Sequence, residues 1–122
     1  MKFTILLPPR TKKNSQRILR TKGGRPFIAP GQTYRDYEAA AGWYLRGLPF
    51  VDYPCNVRAL YYMPTRGRVD LVNLHEALLD VLVHYGVLAD DNSRIVAAMD
   101  GSRVLVDKAK PRTEVEITRL EG

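Results

Sequence analysis

The side chains that invite a chemical reading stand between positions 70 and 91: Asp70, Asn73, Glu76, Asp80 and the pair Asp90-Asp91. At helical spacing Asn73, Glu76 and Asp80 fall within an arc of about 60° and form a polar strip. Asp70 precedes that helix and Asp90-Asp91 lie in the loop after it. A helix start and a later loop can converge at one edge of a sheet. Hard divalent cations, Mg²⁺ above all, take a few carboxylate oxygens together with water and substrate phosphate. The cation then activates water and stabilises the charge of an in-line phosphoryl displacement. Each acid also has an ordinary role. Asp70 suits a helix cap, Asp90-Asp91-Asn92 a polar turn, and Glu76 and Asp80 a solvated helix face. Arg66 and Arg68, immediately before Asp70, favour the chemical role. Cations beside acids are what phosphate-backbone cleavage needs.

The elements that would position these groups follow from periodicity and turn residues. Phe3 to Leu7 reads as a strand stopped by Pro8-Pro9. Arg10 to Arg25 reads as a basic loop with no acid in it. Phe27 to Ala29 reads as a short extended piece, and Thr33 to about Arg46 as a helix with Tyr37, Ala40, Ala41 and Tyr44 on one side. Asn56 to Met63 is a second strand. The helix from Val72 to Tyr85 is the clearest, with Gly86 at its end in a left-handed cap. Ser93 to Met99 reads as a strand that Val104 to Val106 extends, and Thr113 to Leu120 as a half-exposed one. The order β-α-β-α-β-β predicts an α/β (α+β) single domain, a mixed sheet with two packed helices, over residues 1–122. On the central helix, Leu74, Leu78, Val81, Leu82 and Tyr85 form the sheet-facing stripe. Val72, Leu79 and Val83 lie opposite and are also apolar. A helix apolar on two faces is buried on two faces, so the second is expected to meet another subunit in a two-fold homodimer.

Composition narrows the class further. The chain has 122 residues, 45% hydrophobic and 26% charged, which fits one ordinary globular domain. Nineteen Lys and Arg against 13 Asp and Glu leave a net charge of +6, which favours a polyanionic partner. Few exposed aromatics are expected among the basic residues. Cys55 is the only cysteine and reads as a buried free thiol. With two His and one Cys, a Cys/His zinc cluster is excluded. No apolar run is long enough to span a membrane, and a reducing, cytoplasmic compartment is the expectation.

The segments Arg68-Val69-Asp70-Leu71-Val72-Asn73-Leu74, Ala77-Leu78-Leu79-Asp80 and Gly86-Val87-Leu88-Ala89-Asp90-Asp91 resemble the RusA family of Holliday junction resolvases, crossover junction endodeoxyribonucleases common in prophages. The likeness covers essentially the whole chain, including Pro8-Pro9, Asn14 and Gly31 to Asp36. It implies a RusA-like fold and a small homodimeric nuclease of DNA recombination and repair. Such an enzyme binds four-way DNA junctions by their structure and makes paired, symmetric nicks with Mg²⁺, Mn²⁺ being a possible substitute. It implies that Asp70 and Asp91 are acidic ligands, with Asn73 and Asp80 matching the pattern without an assigned role.

Two positions depart from that pattern. Val72 stands where the family usually has a second Asp, and Glu76 where it usually has Lys. Residues i and i+4 point the same way on a helix, so Glu76 can reach the space that an acid at 72 would fill. The expected set is Asp70, Glu76 and Asp91, with Asp90 as the alternative or added ligand, around one or two Mg²⁺. Lys12 or Lys13 would take over the work of the absent Lys. Lys12, Lys13, Arg17, Arg66 and Arg68 are the expected DNA phosphate contacts. A catalytically degenerate protein that still binds branched DNA is the rival reading. An unrelated basic domain that binds RNA or protein is a third.

Overall fold

In the computed structural model residues 1–12, 17–20, 22–24, 26–29 and 31–121 are described. The elements are β1 (Lys2–Ile5), β2 (Arg17–Arg20), β3 (Pro26–Ala29), α1 (Gln32–Ala41), β4 (Cys55–Met63), α2 (Leu71–His84), β5 (Val96–Ala98), β6 (Arg103–Val106) and β7 (Arg112–Arg119). A single 3₁₀ turn, Gly42–Tyr44, prolongs α1. The sheet runs β1-β7-β4, antiparallel throughout. On the far side of β4, β5 and β6 share one edge, both parallel to it. Polar groups fill the gap between them. Asn56 exchanges hydrogen bonds with the Asp100 backbone, and the Ser102 hydroxyl accepts the Ala59 N–H at 3.0 Å. The mixed sheet and two helices agree with the expected α+β architecture.

Alternation on the strands shows why one face is covered. Cys55, Val57, Ala59 and Tyr61 of β4 are buried, as are Thr113, Val115 and Ile117 of β7. They join Tyr34, Tyr37 and Ala41 of α1 and Leu74, Ala77, Leu78, Val81 and Leu82 of α2. Period 2 meets period 3.6 across this layer, as it must where a sheet packs on helices. Cys55 is a buried free thiol that donates to the Ile95 carbonyl at 3.2 Å, and burial pushes its pKa up.

Several elements differ from the sequence expectation. Part of the basic loop is a hairpin, β2 paired antiparallel with β3; its short strands lack the apolar alternation that periodicity detects. The strand expected over 93–99 is only β5, because Asn92 caps the segment before it: its side chain accepts the Arg94 N–H, and its carbonyl accepts from Ile95 and Val96. Tyr85 does not join the sheet-facing stripe. It is 37% exposed and donates its hydroxyl to the Glu38 carbonyl at 2.8 Å, tying the end of α2 to the end of α1. Gly86 takes the expected left-handed conformation, φ +73°.

The second apolar face of α2 is real but uneven. Val72 is 73% exposed, whereas Leu79 and Val83 are partly covered by the core.

Candidate active site

Asp70 stands at the N-cap of α2, yet its side chain makes no capping hydrogen bond. It accepts one from Asn73 Nδ2 at 3.3 Å instead. The ordinary reading of Asp70 as a cap therefore has no hydrogen bond behind it, and its carboxylate is exposed. Arg66 and Arg68, just upstream, are exposed as well.

Beside Asp70 the chain forms a cleft of about 310 Å³. Arg10 and Thr11 from the segment after β1, Thr33 from α1, and Thr65 and Arg68 from the turn before α2 line it, and no acid does. The helices explain the location. Thr33 in the first turn of α1 shares the cleft with residues 65–69, and the far end of α1 meets Tyr85 at the far end of α2. The two helices thus run the same way with both starts at this end. Neither has a side-chain cap or an acid in its first turn, so each keeps a positive dipole end, and Thr33 places that of α1 at the cleft. Sequence reading placed Arg10 in the basic loop and Thr33 in the Gly31 to Asp36 segment of the family likeness, but neither among the functional residues.

A second cluster lies farther along α2. Asp80 is paired with Lys12, both about one-third exposed. Lys12 also lies 5.5 Å from the centre of the Tyr34 ring, and the Tyr34 hydroxyl donates to Glu38 at 3.4 Å. Burial first, then the charges of Glu38 and Asp80, raise the Tyr34 pKa beyond any physiological range. Lys12, expected on a DNA phosphate, is thus held on α2; its partner in space could not be read from sequence. Lys13 lies outside the described residues, and Arg17 is in β2.

Asp90 and Asp91 are exposed in the loop after α2. The Asp91 N–H donates to Asp90 at 2.7 Å and with the Asp91 side chain holds Asp90 below the usual carboxylate range. The hydrogen bond with Asp90 pushes Asp91 up, aided by burial and by the charges of Asp90 and Asp80. Glu76 is exposed on α2.

The expected convergence of Asp70, Glu76 and Asp91 does not occur within one chain. Among the described residues no three His, Cys, Asp or Glu side chains stand close enough to hold a metal ion. The reason is the helix between them. Asp70 precedes the 14 residues of α2 and Asp90-Asp91 follow them, a length of about 21 Å at 1.5 Å per residue. Spacing along a helix predicts which face a residue takes; it does not predict that opposite ends meet.

The aromatic expectation is also revised. Trp43 is 71% exposed with the Arg46 guanidinium 4.4 Å from its ring centre, and Phe50 is 58% exposed.

Residues 7–118 match the family model described as Endodeoxyribonuclease RusA. A curated relative, the "Crossover junction endodeoxyribonuclease RusA" of Aquifex aeolicus (strain VF5), is 36% identical over 81 residues, covering 64% of this chain and 63% of the relative. The chain therefore matches just under two-thirds of that relative's length. With the family model spanning nearly every described element, this chain belongs to the RusA endodeoxyribonuclease family.

Proposed function

We propose that the chain is a divalent-cation-dependent, structure-selective endonuclease that resolves four-way DNA junctions by paired nicks, working in the cytoplasm as a homodimer. The observation that carries the reading is Asp70, uncapped and exposed at the start of α2, beside an acid-free cleft that holds Arg10 and Arg68. Family membership supplies the reaction class. The cations hold the strand by its phosphates, which fixes position without reading sequence.

The acids of one chain do not make a cation site alone. A two-fold pair of chains with α2 packed antiparallel to its copy would bring the start of one helix beside the end of the other. Asp70 and Glu76 of one subunit would then face Asp91, with Asp90 beside it, of the partner subunit. Val72, exposed on the outer side of α2 with Leu79 and Val83 behind it, supports that packing. Mg²⁺, with Mn²⁺ as substitute, suits an all-carboxylate donor set. No helix in the described residues is long and apolar enough to cross a membrane.

Val72, in the place of an acid, supports a second reading: a DNA-binding protein without turnover. One assay separates the two. A labelled four-way junction with Mg²⁺ should be nicked symmetrically by the wild type and left intact by Asp70→Asn, while both bind it in Ca²⁺. Binding without nicking by the wild type, in Mg²⁺ and Mn²⁺ alike, supports the degenerate protein. A monomer by light scattering at micromolar concentration removes the shared site.

A further inference from the structure

The cleft between the starts of α1 and α2 has the chemistry of a site for one anion. It measures about 310 Å³ and presents two guanidinium groups, Arg10 and Arg68, and three hydroxyl residues, Thr11, Thr33 and Thr65, with no acid among them. Among the described residues neither arginine is engaged in an ion pair, whereas Arg112 is held by Asp107 and Glu114 and Lys12 by Asp80. The start of α1 adds to this field. Its N-cap is Gly31, which has no side chain to satisfy the first N–H groups, and Thr33 brings that first turn to the cleft wall. Backbone N–H groups, a positive dipole end and two planar five-donor cations together suit a tetrahedral oxyanion.

We propose that this cleft seats one phosphate group of the DNA backbone, a neighbour of the phosphodiester cut at Asp70, held by Arg10, Arg68, Thr33 and the start of α1. Met63 at the end of β4, Thr33 of α1 and the turn before α2 wall the cleft and fix where that phosphate sits. Arg68 lies two residues from Asp70, so the seat sets the strand's register against the acid. The identity of the anion as DNA backbone rests on the nuclease reading; the anion chemistry of the cleft does not.

The test uses the full-length protein, Arg10→Ala, Arg10→Lys and Thr33→Val, each checked for folding by circular dichroism. Binding of a labelled four-way junction is measured by anisotropy in Ca²⁺ at several salt concentrations. Arg10→Ala should weaken binding about 5- to 10-fold and lower the salt slope by about one counterion. Arg10→Lys should restore much of the loss, and Thr33→Val should weaken binding about 2- to 3-fold through the lost hydroxyl. Inorganic phosphate at tenfold excess over its Kd should raise the wild-type melting temperature by about 4 °C, and that of Arg10→Ala hardly at all. Wild-type affinity and slope in Arg10→Ala overturn the seat. A phosphate shift lost in Arg10→Ala, with unchanged junction binding, makes the cleft a small-anion site and overturns its DNA role. If no protein binds the junction but the phosphate shift depends on Arg10, the nuclease reading fails and the anion site stands.

Discussion

Replacing Gly42 with Ala tests the contact that aligns the two helices. Gly42 has an ordinary right-handed backbone, φ −55° and ψ −31°, so the missing Cβ is not a conformational need. By helix propensity alone Ala should stabilise by about 0.7 kcal/mol. The surroundings oppose it. A Cβ at this position would lie 2.5 Å from Tyr85 Cε1, 2.6 Å from Cζ and 2.9 Å from the hydroxyl. The ring must swing out, losing its 2.8 Å hydrogen bond to Glu38, worth about 1 kcal/mol. Returning about 50 Å² of ring to water costs about 1.2 kcal/mol more at about 25 cal/mol per Å². The net is a destabilisation of about 1.5 kcal/mol, or about 6 °C in melting temperature for a domain of this size. Urea and thermal unfolding of four proteins measure it: wild type, Gly42→Ala, Tyr85→Ala and the double variant. In the Tyr85→Ala background the obstacle is gone, so Gly42→Ala should become stabilising by about 0.7 kcal/mol. A Gly42→Ala protein more stable than wild type, or the same effect in both backgrounds, would show that the Tyr85 ring does not oppose the added methyl group.

Other expectations are more direct. Glu76→Ala should abolish junction nicking while sparing junction binding in Ca²⁺; full activity in that variant removes Glu76 from the site. Lys12→Met leaves Asp80 half-buried without its cation and should cost about 1–2 kcal/mol in urea unfolding, discounted for the pair's partial exposure; an unchanged midpoint shows that the pair contributes nothing. The Arg112 hydrogen bond, first among the causes, holds Asp107 below the ordinary carboxylate range. Its contribution is fully present above about pH 4 and is lost as pH falls through the lowered folded value. The acid limb of a stability profile should therefore flatten in Asp107→Asn, and an identical limb contradicts the sign.

How legible the molecule was depended on the range of the interaction. α2, β4, β7 and the cap at Gly86 follow from local periodicity and turn chemistry, and each appears within a residue or two of its expected bounds. The family likeness was legible for the same reason, since Asp-Leu-x-Asn-Leu and Asp-Asp are local strings. The β2–β3 hairpin was not legible, because short strands rich in charge have no clear alternation. Lys12 on Asp80 was not legible either: 68 positions separate them, and no pattern in either segment names the other.

The secondary structure around the acids, the excess of positive charge and the family can be read from the chain alone, because these reside in runs of neighbouring residues. Which charges share a space is set by packing between distant segments. α2 keeps Asp70 and Asp91 at opposite ends, and α1 runs in the same direction. Arg10, Thr33 and Arg68 share one cleft, although they come from three separate segments of the chain.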